Sequence, residues 1–184
     1  MPVAVKAIHR QMKHLDQKKQ SLLQILTKLT EEEYFRQPSP DSWSVAQAAN
    51  HIYLSERYSM RYIQKKLSFP DTLAPFHPKS WASVLLLKIV LFTPYKAKAP
   101  KIINMWEDQP LMSPASLNEE WMRLRTELFE CVKNHYPQFG SYLVYKHPFA
   151  GRLTLHQMLI FLNDHMAHHI RQINKILKKT KRPA

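Results

Sequence analysis

Two histidines one helical turn apart, His165 and His169, lie in the stretch TLHQMLIFLNDHMAHHIRQINKI that runs from Thr154 to Ile176. Histidines at i and i+4 project from the same side of a helix and can ligate one metal ion. Apolar residues recur through the stretch at Leu155, Leu159, Leu162, Met166, Ile173 and Ile176, in alternating steps of four and three. That ladder is the inward seam of a helix packed in a bundle. His169 takes the seam position between Met166 and Ile173, where an aliphatic side chain would ordinarily stand. His168, three residues after His165, has a spacing that could also bind; the seam count favours His169. A single inward histidine is usually satisfied by hydrogen bonds in a core, but two in register, facing a third elsewhere, point toward a metal.

The third partner has to come from another element. His51 lies two turns into the segment DSWSVAQAANHIYLSERY, one residue away from its inward face of Val45, Ala48, Ile52 and Ser55. Alone it reads as a core-edge histidine. It gains meaning because it sits at the depth where an antiparallel or crossing last helix could present His165 and His169. His147, before Pro148, is an alternative fourth ligand, although an X-Pro histidine is more often a turn residue. His9, His14 and His77 read as surface or structural residues. Cys131 falls on an apolar ladder without an assignable partner and reads as a small core residue. A general base is not evident. Asp164 is adjacent to His165 and so points about 100° away around the helix, and Glu56 lies more than a turn beyond His51. Either could orient a ligand; neither is assigned a catalytic role.

Four helices must position these groups: about 4–33, 44–68, 116–135 and 154–178. The first carries Ile8, Met12, Leu15, Leu22, Leu26 and Leu29 on the same ladder, and the third carries Leu117, Trp121, Leu124, Leu128 and Cys131. Capping boxes announce three of the starts, with Ser44 and Gln47, Ser116 and Glu119, and Thr154 and Gln157 as the reciprocal pairs. Prolines concentrate between Pro70 and Pro114, which suits a long crossover between the second and third bundle helices and a candidate lid. Within it, Trp81 to Thr93 predicts a short buried helix, and Met105 and Trp106 are candidate pocket residues. Leu143 to Tyr145 predicts a brief extended piece.

Composition bounds the class. The 184 residues fit one domain, 1–184, large enough to bury a sizeable core. Two glycines in the whole chain argue for long helices over a turn-rich β-protein. A single cysteine makes no internal disulfide, so the fold asks nothing of an oxidising compartment. The first residues carry no signal-peptide core, and the longest apolar run, Trp81 to Phe92, is too short to span a bilayer. A cytoplasmic protein with no membrane partner is expected. The net charge of +13 includes six cations in the last fourteen residues, from Arg171 to Arg182. Part of that complements a helix C-terminus, and the rest would attract any polyanion. Without a recognition helix or RNA-binding signature, no specific nucleic-acid partner is expected.

Three motifs in order, WSVAQAANHI, HPFAGRLT and HMAHHIRQI, make the chain resemble the DinB-like (YfiT-type) superfamily of metal-dependent proteins from its first helix to its last. The resemblance implies an all-α fold, a four-helix bundle with a long crossover between helices 2 and 3. It implies three histidine ligands, carried over by motif onto His51, His165 and His169. Relatives that are thiol S-transferases using bacillithiol, and a mycothiol-dependent isomerase, imply an ion that activates a cofactor thiol. Bundles of this family often pair, so a homodimer is expected. Three imidazoles leave a coordination position open, as catalytic sites do. They suit Zn²⁺ and Ni²⁺ without choosing between them. Three function classes remain: a metal-dependent transferase or hydrolase acting on a small molecule, a non-catalytic metal-binding or interaction bundle, and last a nucleic-acid binder using the basic tail.

Overall fold

The chain forms six helices and two small β-ribbons among residues 3–93 and 110–180, which are those described by the computed structural model. In order they are α1 (Val3–Leu26), α2 (Glu31–Phe35), α3 (Val45–Leu67), β1 (Ala74–Pro75), α4 (Ser80–Phe92), α5 (Pro114–Phe139), β2 (Tyr142–Leu143), β3 (Tyr145–His147), β4 (Gly151–Leu153) and α6 (Leu155–Thr180). The four long helices α1, α3, α5 and α6 make a four-helix bundle. Both α1 and α3 pack against α5 and α6, so the last two helices each sit between the first two. The crossover from α3 to α5 carries α4, which lies along α6. Met105 and Trp106 fall outside the described residues.

The ladders point inward as their spacing requires. Ile8, Leu15, Leu22 and Leu26 of α1 are buried with Ile52 and Ile63 of α3, Leu117, Trp121 and Leu128 of α5, and Leu155, Leu159, Met166 and Ile173 of α6. Small residues at Ala46, Ala48 and Ala49 are fully buried and let a neighbouring helix approach closely. Cys131 is in the same core.

Local chemistry moved several boundaries. The predicted helix over 4–33 is broken. Lys28 and Leu29 bond to carbonyls only three residues back, and Thr30 then caps α2 through a reciprocal pair with Glu33. A short polar residue whose side chain can take an N-cap competes here with helix continuation. The third bundle helix starts at Pro114, not at 116, because Ser113 caps it and Pro114 fills the first position, where a missing N–H costs nothing. Ser116 donates its backbone N–H to Ser113 Oγ at 3.2 Å and is therefore inside the first turn. The helix also runs past 135, through Pro137, and stops at Gly140. The boxes at Ser44–Gln47 and Thr154–Gln157 are present as read.

The larger correction concerns α4. Its span matches the expectation, but its burial does not. Ser80, Val84 and Leu87 face inward, while Trp81, Leu85, Leu86, Ile89 and Phe92 are between 47% and 60% exposed. A helix apolar all round reads as buried, yet among the described residues α4 packs chiefly on α6 and β4, which leaves its other side exposed.

Candidate metal centre

Two α6 residues and one α3 residue bring three imidazoles to a point. His165 and His169 project from one face of α6, as their spacing dictates, and His51 faces them from α3. His51 Nε2 lies 3.2 Å from His165 Nε2, which lies 3.1 Å from His169 Nε2. One ligand nitrogen from each ring lies within 4.8 Å of the other two. Nitrogens about 2.0–2.1 Å from a tetrahedral ion stand about 3.3–3.4 Å apart, so this spacing suits a shared ion. Hydrogen bonding among the rings is a poorer account. A neutral imidazole has one N–H and one lone pair, and the Nδ1 atom of His169 already claims its proton.

That claim comes from Gln172, whose Oε1 accepts from His169 Nδ1 at 2.7 Å. An amide oxygen only accepts, so Nδ1 carries the hydrogen and Nε2 presents its lone pair to the centre. Gln172 was not singled out in the sequence, although its i+3 spacing from His169 was the available signal. Replacing Gln172 with Ala is expected to weaken metal affinity by about 10- to 100-fold, the usual cost of losing an orienting partner. Competition with a chelator of known affinity measures it; an unchanged constant would mean the ring is held by packing alone.

Aromatic side chains border the centre. Trp43 stacks over His169 with ring centroids 6.0 Å apart and leans on His51 at 5.0 Å. Phe161 lies 5.4 Å from His165 on another side. Trp43 precedes the Ser44 cap directly, where an apolar residue often staples a helix start; that position was its only sequence signal.

The remaining candidates are placed elsewhere. His168 Nδ1 donates to Leu91 O of α4 at 2.6 Å. His147 Nδ1 accepts the backbone N–H of Phe149 and Ala150, closing the turn of the β3–β4 hairpin. Gly151 ends that turn at φ 83°, a left-handed conformation that favours glycine, which accounts for the HPFAG sequence. Asp164 is paired with Lys88 at 3.8 Å. Glu56 is buried between Trp121 Nε1 at 3.0 Å and Arg125 Nη2 at 2.8 Å, and so ties α3 to α5. Among the described residues, no carboxylate joins the three imidazoles.

Electrostatics keep the rings in the ligand form. Burial, helped by His168, holds His51 down to about 4 from its ordinary 6.5. Burial also drives His165 and His169 well below 6.5, and the neighbouring imidazoles add to it because two protonated rings would repel. Neutral imidazole binds metal; imidazolium does not. The unfolded chain therefore takes up more protons than the folded one between pH 6.5 and about 4. Stability of the metal-free protein is full above pH 6.5 and is lost as pH falls through that window. Urea midpoints from pH 8 to 4 should fall in this range; a flat profile would mean the rings titrate normally.

Comparisons with known proteins bear on the fold. A family model described as the DinB superfamily matches residues 14–173. No curated protein matches the chain. Among solved structures, the chain is similar to YfiT from Bacillus subtilis, described as a probable metal-dependent hydrolase with an unusual four-helix bundle topology. Identity is 16% and the TM-score 0.58, over 94% of this chain and 86% of that one. Similarity at that identity speaks for the fold.

Proposed function

The chain belongs to the DinB superfamily, and from that we propose that it is a metal-dependent enzyme whose ion is held by His51, His165 and His169. Its reaction is the displacement of a leaving group, such as chloride, from an electrophilic small molecule by the sulfur of a small thiol, whose proton is released to solvent on ionisation. The observation that carries this reading is the convergence of the three Nε2 atoms at 3.1–3.2 Å between neighbours. A divalent ion bound there, Zn²⁺ or Ni²⁺, supplies Lewis acidity that lowers the pKa of a thiol or water at an open coordination position.

The chain's own residues favour the thiol. Asp164 and Glu56 pair with Lys88 and Arg125, and among the described residues no carboxylate joins the three imidazoles as a base for water. A thiol, with its ordinary pKa near 8.5, needs less help to ionise than water does. The three histidines hold the ion and remain neutral, Gln172 fixes the ring of His169, and Trp43 covers one side of the centre. Lys and Arg exceed Asp and Glu by 13, a balance that attracts anionic thiol cofactors. Hydrolysis, with water in place of the thiol, is the second reading, and the description of YfiT favours it.

Metal content is measured first, on protein purified without a histidine tag. Loaded protein is then assayed with several low-molecular-weight thiols and a chlorinated aromatic acceptor, and separately with hydrolysable esters and amides. Thiol-dependent turnover that chelation and His51→Ala both abolish is the expected result. Turnover indifferent to both would refute the mechanism, and thiol-independent hydrolysis lost on chelation would establish the second reading. Stoichiometric metal without turnover would favour a non-catalytic metal-binding bundle.

A further inference from the structure

Among the described residues, the outer face of α4 is open over most of its length: His156 meets the Trp81 ring at 6.4 Å and Arg171 lies over the Phe92 ring, while Leu85, Leu86 and Ile89 between them are about half exposed or more. Trp81, Leu85, Ile89 and Phe92 follow at steps of four, four and three, so they form one stripe, and Leu86 widens it. Each of these five side chains is about half exposed or more. A contiguous apolar patch of this kind is rare on a protein that stays alone in water and marks an interaction surface. The inward side of the same helix is fastened. Gln157 Nε2 donates to Ser80 Oγ at 2.9 Å near the start, and His168 Nδ1 and Arg171 Nη2 both donate to Leu91 O near the end. The outward stripe is thus held in place by α6 and is not free to roll inward.

Charge around the stripe identifies the partner. Lys79 stands at its start, Lys88 on its flank and Arg171 over the Phe92 ring at 4.6 Å, with Lys175 one turn further along α6. The acid that contacts this face, Asp164, is only 20% exposed and is occupied by Lys88. Two copies of the chain meeting through α4 would bring these cations against one another, with a net +13 on each side. A nucleic acid would satisfy the cations but not the apolar stripe. An anionic bilayer surface satisfies both. Trp and Phe favour the headgroup region, Leu and Ile enter the acyl boundary, and Lys and Arg at the rim meet anionic headgroups. The thirteen residues of α4 make a helix about 20 Å long, enough to lie along that interface. None of the helices is long and apolar enough to cross a membrane among the described residues.

We propose that the exposed face of α4 docks the protein on anionic membrane surfaces, with the helix lying in the interface plane. This departs from the expectation of no membrane partner, which rested on the lack of a signal-peptide core and on a Trp81–Phe92 run too short to span a bilayer. The inference stands on the exposure and charge of this face and does not depend on the metal centre.

The test is co-sedimentation of the full chain with vesicles, either pure phosphatidylcholine or phosphatidylcholine with phosphatidylglycerol, at about 0.1 M salt. Binding to the mixed vesicles alone is expected, with the bound fraction falling at least about tenfold in Leu85→Ser/Phe92→Ser. Both positions are 60% exposed, so that variant should retain its fold, which circular dichroism checks. Lys79→Glu/Lys88→Glu should weaken binding as well. A full chain that stays in the supernatant would overturn the proposal. So would binding that survives the apolar substitutions, since charge alone would then be responsible. A dimer by light scattering that Leu85→Ser/Phe92→Ser returns to monomer, without vesicle binding, would assign the face to a second copy instead.

Discussion

Replacing His169 with Ala is expected to abolish stoichiometric metal binding, whereas His168→Ala leaves most of it. The two residues are adjacent, so composition and helix propensity change alike in both variants; what differs is direction. His169 presents Nε2 to the centre, 3.1 Å from His165 Nε2, with Gln172 holding its other nitrogen. His168 turns to α4 and donates to Leu91 O. Three ligands are few, and losing one leaves a pair that holds an ion weakly. A ligand present at about a thousand times its Kd stabilises the folded state by about 4 kcal/mol. For a chain of this size that is a rise in Tm of roughly 8–16 °C, since each kcal/mol moves it by about 2–4 °C. His169→Ala should lose the whole of that metal-dependent rise. His168→Ala should keep it and cost about 1 kcal/mol, for one hydrogen bond to a carbonyl. Isothermal titration with Zn²⁺ and melting curves with and without metal read both. The reverse pattern would mean that the wrong histidine of the pair had been assigned.

Truncating Glu56 to Ala should destabilise the fold by about 3–5 kcal/mol, the cost of stripping one partner from a buried ion pair. Glu56 is 1% and Arg125 3% exposed; Arg125 reaches Glu56 through Nη2, and its Nε and Nη1 have no hydrogen-bond partner among the described residues. The substitution would therefore leave a guanidinium charge in the core with nothing to oppose it. Tm should fall by roughly 6–20 °C. Trp121 loses its acceptor at the same time. Replacing both members, Glu56→Leu with Arg125→Met, should recover most of the loss, because a desolvated pair and a well-packed apolar pair often balance. Metal affinity per folded molecule should not change in either variant. A stable Glu56→Ala protein with impaired metal binding would transfer Glu56 to the centre.

The helices and most of their inward faces were legible in the amino-acid order. A four-three ladder is a local property: wherever the segment packs, Leu155, Leu159, Leu162, Met166, His169 and Ile173 share one side. Caps are local too, which is why Ser44 and Thr154 were readable. The boundary errors also come from short-range competition, between Thr30 and helix continuation and between Ser113 and Ser116 as the cap. The pairing of His165 with His169 was legible for the same reason. His51 was not legible from spacing, because 114 residues separate it from His165. Its depth in the second bundle helix made it a candidate, the resemblance of motifs assigned it, and in the structure its Nε2 lies 3.2 Å from that of His165.

Which polar groups meet which depends on how the helices are placed in space. Glu56, more than a turn beyond His51, read as a residue that could orient a ligand; that offset sends it instead to Arg125 and Trp121 of α5. Trp43 covers the centre because the chain entering α3 passes His169, a contact that no periodicity records. For α4 the sequence supplied the helix and misjudged its surroundings. Periodicity tells which residues share a face, and it cannot tell whether a second face has a neighbour. Burial depends on what else arrives, and in this bundle Trp81, Leu85, Ile89 and Phe92 stay about half exposed, with His156 and Arg171 of α6 reaching the rings at the two ends.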